Sequence, residues 1–377
     1  MYAIDNGGSS IKLLEITATS TNNPPDIIIN KIHRDKKKFY VGNELEVKQQ
    51  GIQIFSPIEK GLISNWEIQR AIWNHIFSKK QKTDRYDQIA FLSSEFELSA
   101  TKSSICNVFL NELGFIQICL LDKSLVVASR FFKENRNNGG QPIDISIFVD
   151  SGYSETVVTV FANVEDKIVK IPKLTTRLPI GGKLITNYLK QTISYKEVHV
   201  MDEFVMIDEL KDKCVKIAQD PEQINSDNVE KIEFLLPNFI NRFSGRIIED
   251  TTDRRRMLKE DDCAQMIKLG TERFLAGEIL FNPKEIIGMD VAGLTEILHS
   301  TLTKIKSFND GKVPIVFVGG NTLIDGFCER IESEGFDHVY YPENPITYAV
   351  EGVKSVDLDH VKNCSISKPQ FTQFLKF

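Results

Sequence analysis

Apolar and polar positions alternate from the first residues. Tyr2, Ala3 and Ile4 lead into "DNGGSSIK" (Asp5 to Lys12), after which Ile11, Leu13 and Glu15 fall on one face and Lys12, Leu14 and Ile16 on the other. This period on both sides of a Gly-Gly-Ser-Ser break predicts a β-hairpin over Tyr2 to Ile16. "ISIFVDSGYSETVVTVFANV" (Ile145 to Val164) repeats the plan: an apolar strand enters Asp150-Ser151-Gly152, turns, and resumes as a β-branched strand. Two such units in one chain predict two related lobes facing each other.

Helical spacing appears in "WEIQRAIWNHIF", where Trp66, Ala71, Trp73, Ile76 and Phe77 form a core-facing stripe behind a cap at Ser64 or Asn65. "VPIVFVGGNTLIDGFCERI" (Val313 to Ile331) predicts a buried strand from Ile315 to Val318. A turn at Gly319-Gly320-Asn321 follows, and then a helix carrying Leu323, Phe327 and Ile331. Glycines at such a turn admit a ligand closely, and a helix N-terminus offers free N–H groups to an anion. "STNNPPD" (Ser20 to Asp26) is turn chemistry. The polar stretch from Ile27 to Gln50, with Lys36-Lys37-Lys38, suits a small, loosely built subdomain.

The chain's 377 residues exceed the size at which one core usually stops growing, so two large lobes are the expectation. With 41% hydrophobic and 26% charged residues the composition is that of a soluble globular protein. A net charge of -6 argues against a surface devoted to nucleic acid and leaves a local basic patch open. No apolar run suffices to span a membrane and the start lacks a signal peptide, so an intracellular protein without membrane partners is expected. Cys106, Cys119, Cys214, Cys263, Cys328 and Cys364 include no C-x-x-C pair, and the six histidines no H-E-x-x-H. Inert thiols, rather than a disulfide framework or a zinc site, follow.

The two hairpins and the Gly-Gly-Asn turn together describe a nucleotide cleft. Tight hairpins present backbone N–H groups to phosphates, Lys12 adds a point charge, and Asp5 and Asp150 are placed to hold hydrated Mg²⁺ through water. Each motif alone is common; their order in one chain carries the reading.

That order resembles the actin superfamily from end to end: D-N-G…K, "SPIEKGLISNWEIQRAIWNHIF", "DSGYSETV", "LPIGGKLITNYL", "ERFLAGEILFNP" and "VGGNTLIDGF". "ISYKEVHVMDE", "FLLPNF" and "PENPITYAVEG" resemble its actin-related protein 6 class, of which this chain reads as a divergent member. The resemblance implies an actin-like α/β fold of two lobes and four subdomains around a central nucleotide cleft. Subdomain 1 would comprise residues 1–18, 55–140 and 347–377, and a short subdomain 2 residues 19–54. Subdomain 3 would comprise 141–178 and 270–346, and subdomain 4 residues 179–269.

By the same resemblance Asp5, Gly7, Gly8, Ser9 and Lys12 fall on the first phosphate loop, and Asp150, Ser151 and Gly152 on the second. Lys211 and Asp212 fall beside the adenine, with Gly319, Gly320 and Asn321 on the opposite wall of the base pocket. Without the resemblance Lys211 reads as part of a solvated helix face. Gly8 replaces a serine of actins, with Ser9 next door as a substitute. Tyr153 and Val157 replace an aspartate and a histidine near the metal and the attacking water, and Lys123 falls near the glutamine that orients water. A valine cannot relay a proton, so the cleft reads as one that holds ATP with Mg²⁺ without turning it over, or holds no nucleotide.

The resemblance further implies a non-catalytic nuclear subunit of a Swr/SRCAP-type chromatin remodeller that exchanges histone variants, a role in chromatin and transcription regulation. Its partners would be the remodeller's ATPase subunit, a zinc-finger HIT-type subunit and the nucleosome. Little room remains before Pro57 for actin's neighbour-gripping loop, so no filament is expected. The runs Arg254-Arg255-Arg256 with Lys259, and Lys36 to Lys38, are candidate contacts to DNA or an acidic partner, against their plain reading as solvated faces. Two alternatives stay open: a cytoplasmic actin-related subunit of dynactin type, and a weak ATPase or phosphotransferase of the superfamily.

Overall fold

The computed structural model describes residues 1–17, 23–35, 38–47, 53–80, 86–165, 167–196, 198–225, 229–238, 242–260 and 264–374. In the first lobe β1 (Tyr2–Asn6) and β2 (Ser10–Glu15) form the predicted hairpin, and β3 (Asp26–Ile29) extends it. On the other side β1 runs parallel to β4 (Tyr86–Ser93), which runs parallel to β5 (Phe115–Asp122). A short strand, Ser365–Ser367, closes that edge, bringing the last part of the described chain back to the first lobe.

The second lobe repeats this plan. Here β6 (Ile145–Ser151) and β7 (Thr156–Val164) form the hairpin and β8 (Lys167–Lys170) extends it. On the far side β6 runs parallel to β9 (Ile315–Val318), and β9 to β10 (Val339–Tyr340). Both halves of the repeat therefore present a hairpin loop at equivalent sheet positions, as the duplicated pattern predicts.

Two helices complete this frame, one packed within the first lobe and one against both lobes. In α1 (Trp66–Lys80) the Asn65 side chain caps the helix by accepting from the Ile68 amide at 3.1 Å. Its buried face comprises Gln69, Ile72, Trp73, Ile76 and Phe77. Trp66 and Ala71 of the expected stripe are only partly covered. In α2 (Lys123–Asn137) the Asp122 carboxylate caps the helix by accepting from the Ser124 and Leu125 amides. Val126, Val127, Phe131 and Phe132 pack with Ala3 and Leu14 of the first lobe and with Phe148, Phe161 and Val316 of the second. One apolar core thus runs beneath both loops and fixes their separation.

The outer part of the second lobe carries α3 (Gly182–Lys196), α4 (Phe204–Cys214), α5 (Thr251–Glu260) and a three-stranded antiparallel sheet of Ile232–Leu235, Arg246–Ile248 and Met266–Leu269. The first lobe carries a smaller sheet of Ile32–Asp35, Lys38–Val41 and Ile54–Phe55. Residues 26–29, within the span expected for subdomain 2, form the outer strand of the main sheet.

No described helix is long and apolar enough to cross a membrane. Burial pushes the Cys106 and Cys119 thiols up to about 11 and Cys214 to about 12, which leaves them protonated and unreactive. Cys263 lies outside the described residues.

Candidate nucleotide cleft

Between the lobes lies a cavity of about 470 Å³, lined by both hairpin loops, the start of α2, one face of α4 and the turn after β9. Sheet register explains what faces it. Asp5 stands directly opposite Lys12 across the first hairpin, and Asp150 directly opposite Val157 across the second. The two positions are equivalent, yet only the first pairs an acid with a base. Lys12 Nζ lies 3.8 Å from Asp5 Oδ2.

Lys123 enters at the first turn of α2. Its Nζ is 2.7 Å from Asp150 Oδ2 and 3.3 Å from Asp5 Oδ2, so one ammonium touches the acids of both lobes. Burial opposes a charged Lys123, but Asp150 and Asp5 outweigh it and hold the amine protonated beyond the usual lysine range. Burial likewise favours a neutral Asp5, and Lys123 and Lys12 overcome it and keep the carboxylate ionised. Burial wins at Lys12, whose pKa is lowered despite Asp5.

The first loop is braced from below. Gln69 Oε1 accepts from Asn6 Nδ2 at 3.1 Å, and Gln69 Nε2 donates to Asn30 Oδ1 at 3.3 Å. Asn30 Nδ2 donates to the Gly7 carbonyl at 2.8 Å, and Trp73 Nε1 to Asn6 Oδ1 at 3.1 Å. The Gly7 and Gly8 amides meet no protein acceptor among the described residues, which leaves them available to an anion. A Cβ on Gly8 would lie 2.2 Å from Ser154 Oγ, so the two loop tips touch.

In the second loop Gly152 donates its amide to the Glu155 carbonyl at 3.0 Å and lines the cavity. Ser151 does not. Strand alternation turns it to the other face, where its hydroxyl is fully buried between Thr156 Oγ1 at 3.0 Å and Asn321 Nδ2 at 3.1 Å. Asn321 also donates to the Gly152 carbonyl at 2.7 Å, so its amide pins the loop from behind. Tyr153 packs edge-on against Phe204, with Lys31 Nζ 5.3 Å and Lys211 Nζ 5.6 Å from its ring centre. Its hydroxyl is buried without a hydrogen-bond partner among the described residues, and burial raises its pKa well above normal.

Lys211 is not on a solvated face. It is buried on α4 with Nζ 2.7 Å from Asp208 Oδ1 and 3.3 Å from Asp212 Oδ1. Burial opposes its charge, and the two acids more than compensate. Opposite, Gly319 and Gly320 line the cavity as expected, but no long helix follows. Gly320–Leu323 is a single 3₁₀ turn, and the α-helix begins only at Phe327, so the helix N-terminus expected at these glycines is displaced. Leu323 is exposed at the cavity edge instead of packed in the core.

Sequence reasoning did not single out Gln69, Asn30, Lys31, Asp208 or Glu97. Glu97 lines the cavity with a buried, unpartnered Oε1, and burial raises its pKa. Of the basic runs, Arg254 pairs with Glu233 at 3.0 Å and Arg256 with Asp253 at 2.9 Å, which offsets much of that patch. Lys36 and Lys37 lie outside the described residues, and the Lys38 side chain does too.

A family model described as Actin matches residues 15–206 and 196–351 of this chain. The chain belongs to the actin family, in its actin-related protein 6 class. The class rests on relatives such as Actin-like protein ARP6 of Yarrowia lipolytica, which is 31% identical over 88% of this chain and 81% of its own length. Actin-related protein 6 of Neurospora crassa is 26% identical over 98% of this chain and 91% of its own. That of Drosophila melanogaster is 23% identical over 100% and 95%. The two-lobed actin fold expected from the sequence is the fold described above.

Proposed function

We propose that this actin-family chain is a non-catalytic subunit of a nuclear Swr/SRCAP-type remodelling assembly, supporting histone-variant exchange. Its class supports the assignment, and one observation of the cleft carries the non-catalytic part. Opposite Asp150 stands Val157, and the start of α2 delivers Lys123 to both acids. Hydrolysis needs a group that orients and deprotonates water, and neither a methyl-bearing side chain nor a permanently charged ammonium accepts a proton.

The cleft then acts as a structural element. The Gly7 and Gly8 amides and Lys12 would hold the phosphates of ATP, with Lys211 and Gly319–Gly320 beside the base. Bound nucleotide would stabilise the closed pair of lobes by mass action. The partners in this reading are the remodeller's ATPase chain, a zinc-finger HIT-type subunit and, through them, the nucleosome. A fixed subunit of this kind needs no second filament face, in keeping with the short stretch between β3 and Pro57.

The experiment is affinity purification of the tagged chain from its own cells, followed by mass spectrometry. Recovery of a Snf-type ATPase with a HIT zinc-finger protein supports the reading, and recovery of dynactin subunits overturns it. A weak phosphotransferase is a second reading, favoured by Glu97, which lines the cavity and whose Oε1 is buried without a hydrogen-bond partner among the described residues. It requires ATP-dependent phosphate transfer that Glu97→Gln abolishes.

A further inference from the structure

Two carboxylates facing each other across a cleft need a cation between them. Asp5 is nearly inaccessible, and its Oδ2, which has no hydrogen-bond partner among the described residues, lies within ion-pair distance of two ammonium groups, Lys123 at 3.3 Å and Lys12 at 3.8 Å. Asp150 Oδ2 is 2.7 Å from the same Lys123 Nζ. A hydrated divalent ion held through water by both acids would have to occupy the space this ammonium fills. The donor set therefore does not fit Mg²⁺ as the sequence suggested.

We propose that Lys123 is the resident cation of this cleft, an ammonium carried on α2 that joins Asp5 of one lobe to Asp150 of the other and makes closure independent of divalent metal. Three further observations agree. The capping carboxylate Asp122 fixes the helix start from which Lys123 projects, so the charge is delivered by a rigid element. Asp122 in turn is 2.5 Å from Lys170 of the second lobe, a second ion pair crossing in the same place. Beyond them Glu59 pairs with Lys183 of α3 at 2.7 Å, so the lobes are bridged on more than one level by the chain's own charges. A nucleoside phosphate entering this cleft would meet Lys123 and Lys12 where a metal complex would otherwise screen its charge.

The test is thermal unfolding of the purified full chain in EDTA and in millimolar Mg²⁺, without nucleotide, for wild type and for Lys123→Gln. Wild type is expected to melt at the same temperature in both. Lys123→Gln leaves two acids facing each other, so its melting point should fall by about 5 °C or more in EDTA and recover with Mg²⁺. Adding Asp150→Asn to Lys123→Gln should restore most of the loss without metal. A wild-type melting point that rises by several degrees with Mg²⁺ overturns the proposal, as does a Lys123→Gln protein that matches wild type in EDTA. If Lys123→Gln does not fold, the wild-type comparison decides, with Lys123→Arg as the charge-retaining control expected to remain metal-insensitive.

Discussion

Lys31 Nζ lies 3.8 Å from Asp208 Oδ2, joining the chain just beyond β3 to α4 across the mouth of the cleft. The same ammonium sits 4.2 Å from the centre of the Phe204 ring. Burial pushes Lys31 down to about 8, with Asp208 only partly offsetting it. A lysine depressed in the folded state favours folding least below that value, where it must be buried charged. Stability should therefore rise as pH climbs from about 8 towards the unfolded lysine value of about 10.4, because the unfolded chain then holds the extra proton. Lys31→Met removes this gain. Its stability relative to wild type should be most favourable at pH 7.5 and should drop by about 2 kcal/mol by pH 10, measured by urea unfolding of both proteins at each pH.

The neighbouring bridge behaves differently. Glu59 and Lys183 meet at 2.7 Å, but the Glu59 side chain is 57% exposed. Solvent and salt screen such a pair, so Glu59→Gln should cost less than about 1 kcal/mol, and the loss should vanish in 1 M salt. Urea melts at low and high salt measure this directly.

Much of this site was legible because hairpins with a period of two and an Asp-Gly turn leave a strong mark in sequence. Asp5, Lys12 and Asp150 are legible from the two hairpins, Gly319 and Gly320 from the break after a buried strand, and Lys123 only through the resemblance. What sequence could not show was the use of each side chain. Gln69 interrupts an apolar stripe and reads as a misfit until Asn6 and Asn30 are seen on either side of it. Ser151 looks like a phosphate ligand, but the pleat turns it away. The helix expected after Gly320 is interrupted at Asp325-Gly326, where Gly326 has a φ of +87°, and there Asp325 pairs with Lys216 in a parallel bridge and its carbonyl accepts from the Ile217 amide at 2.8 Å. Hydrophobic periodicity alone carries this segment through as helix, whereas the Asp-Gly pair is a turn signal and the tertiary bridge fixes the turn in place.

Arg330 and Glu278 form a nearly inaccessible fork, with paired bonds of 3.1 and 3.2 Å, and Arg330 also donates to the Ala218 carbonyl at 3.1 Å. Arg330 Nε also donates to Glu334 at 2.9 Å, so removing Glu278 leaves the buried guanidinium with one half-buried acid in place of two. With Glu334 still in place, Glu278→Ala should cost about 3 kcal/mol, whereas an apolar pair such as Glu278→Leu with Arg330→Met should lose markedly less. Denaturant unfolding of the two single variants and the double variant reads the coupling between them.

The cleft wall itself depends on Gly319, the last residue before the 3₁₀ turn. Its φ is +95°, and a Cβ there would lie 2.3 Å from the Ser151 carbonyl oxygen and 2.9 Å from Asp150 Oδ1. Both faults act together: the backbone conformation is strained for an L side chain, and the atom met is main chain in the core of the second lobe. Gly319→Ala should therefore lower stability by about 2–4 kcal/mol, while Gly320→Ala next door, with no heavy atom within 4 Å of its added Cβ, should cost far less. The pair separates a steric requirement at the wall from a general preference for glycine in the turn. Equal losses in the two variants by urea unfolding would show that the contact with the Ser151 carbonyl does not set the position of this wall.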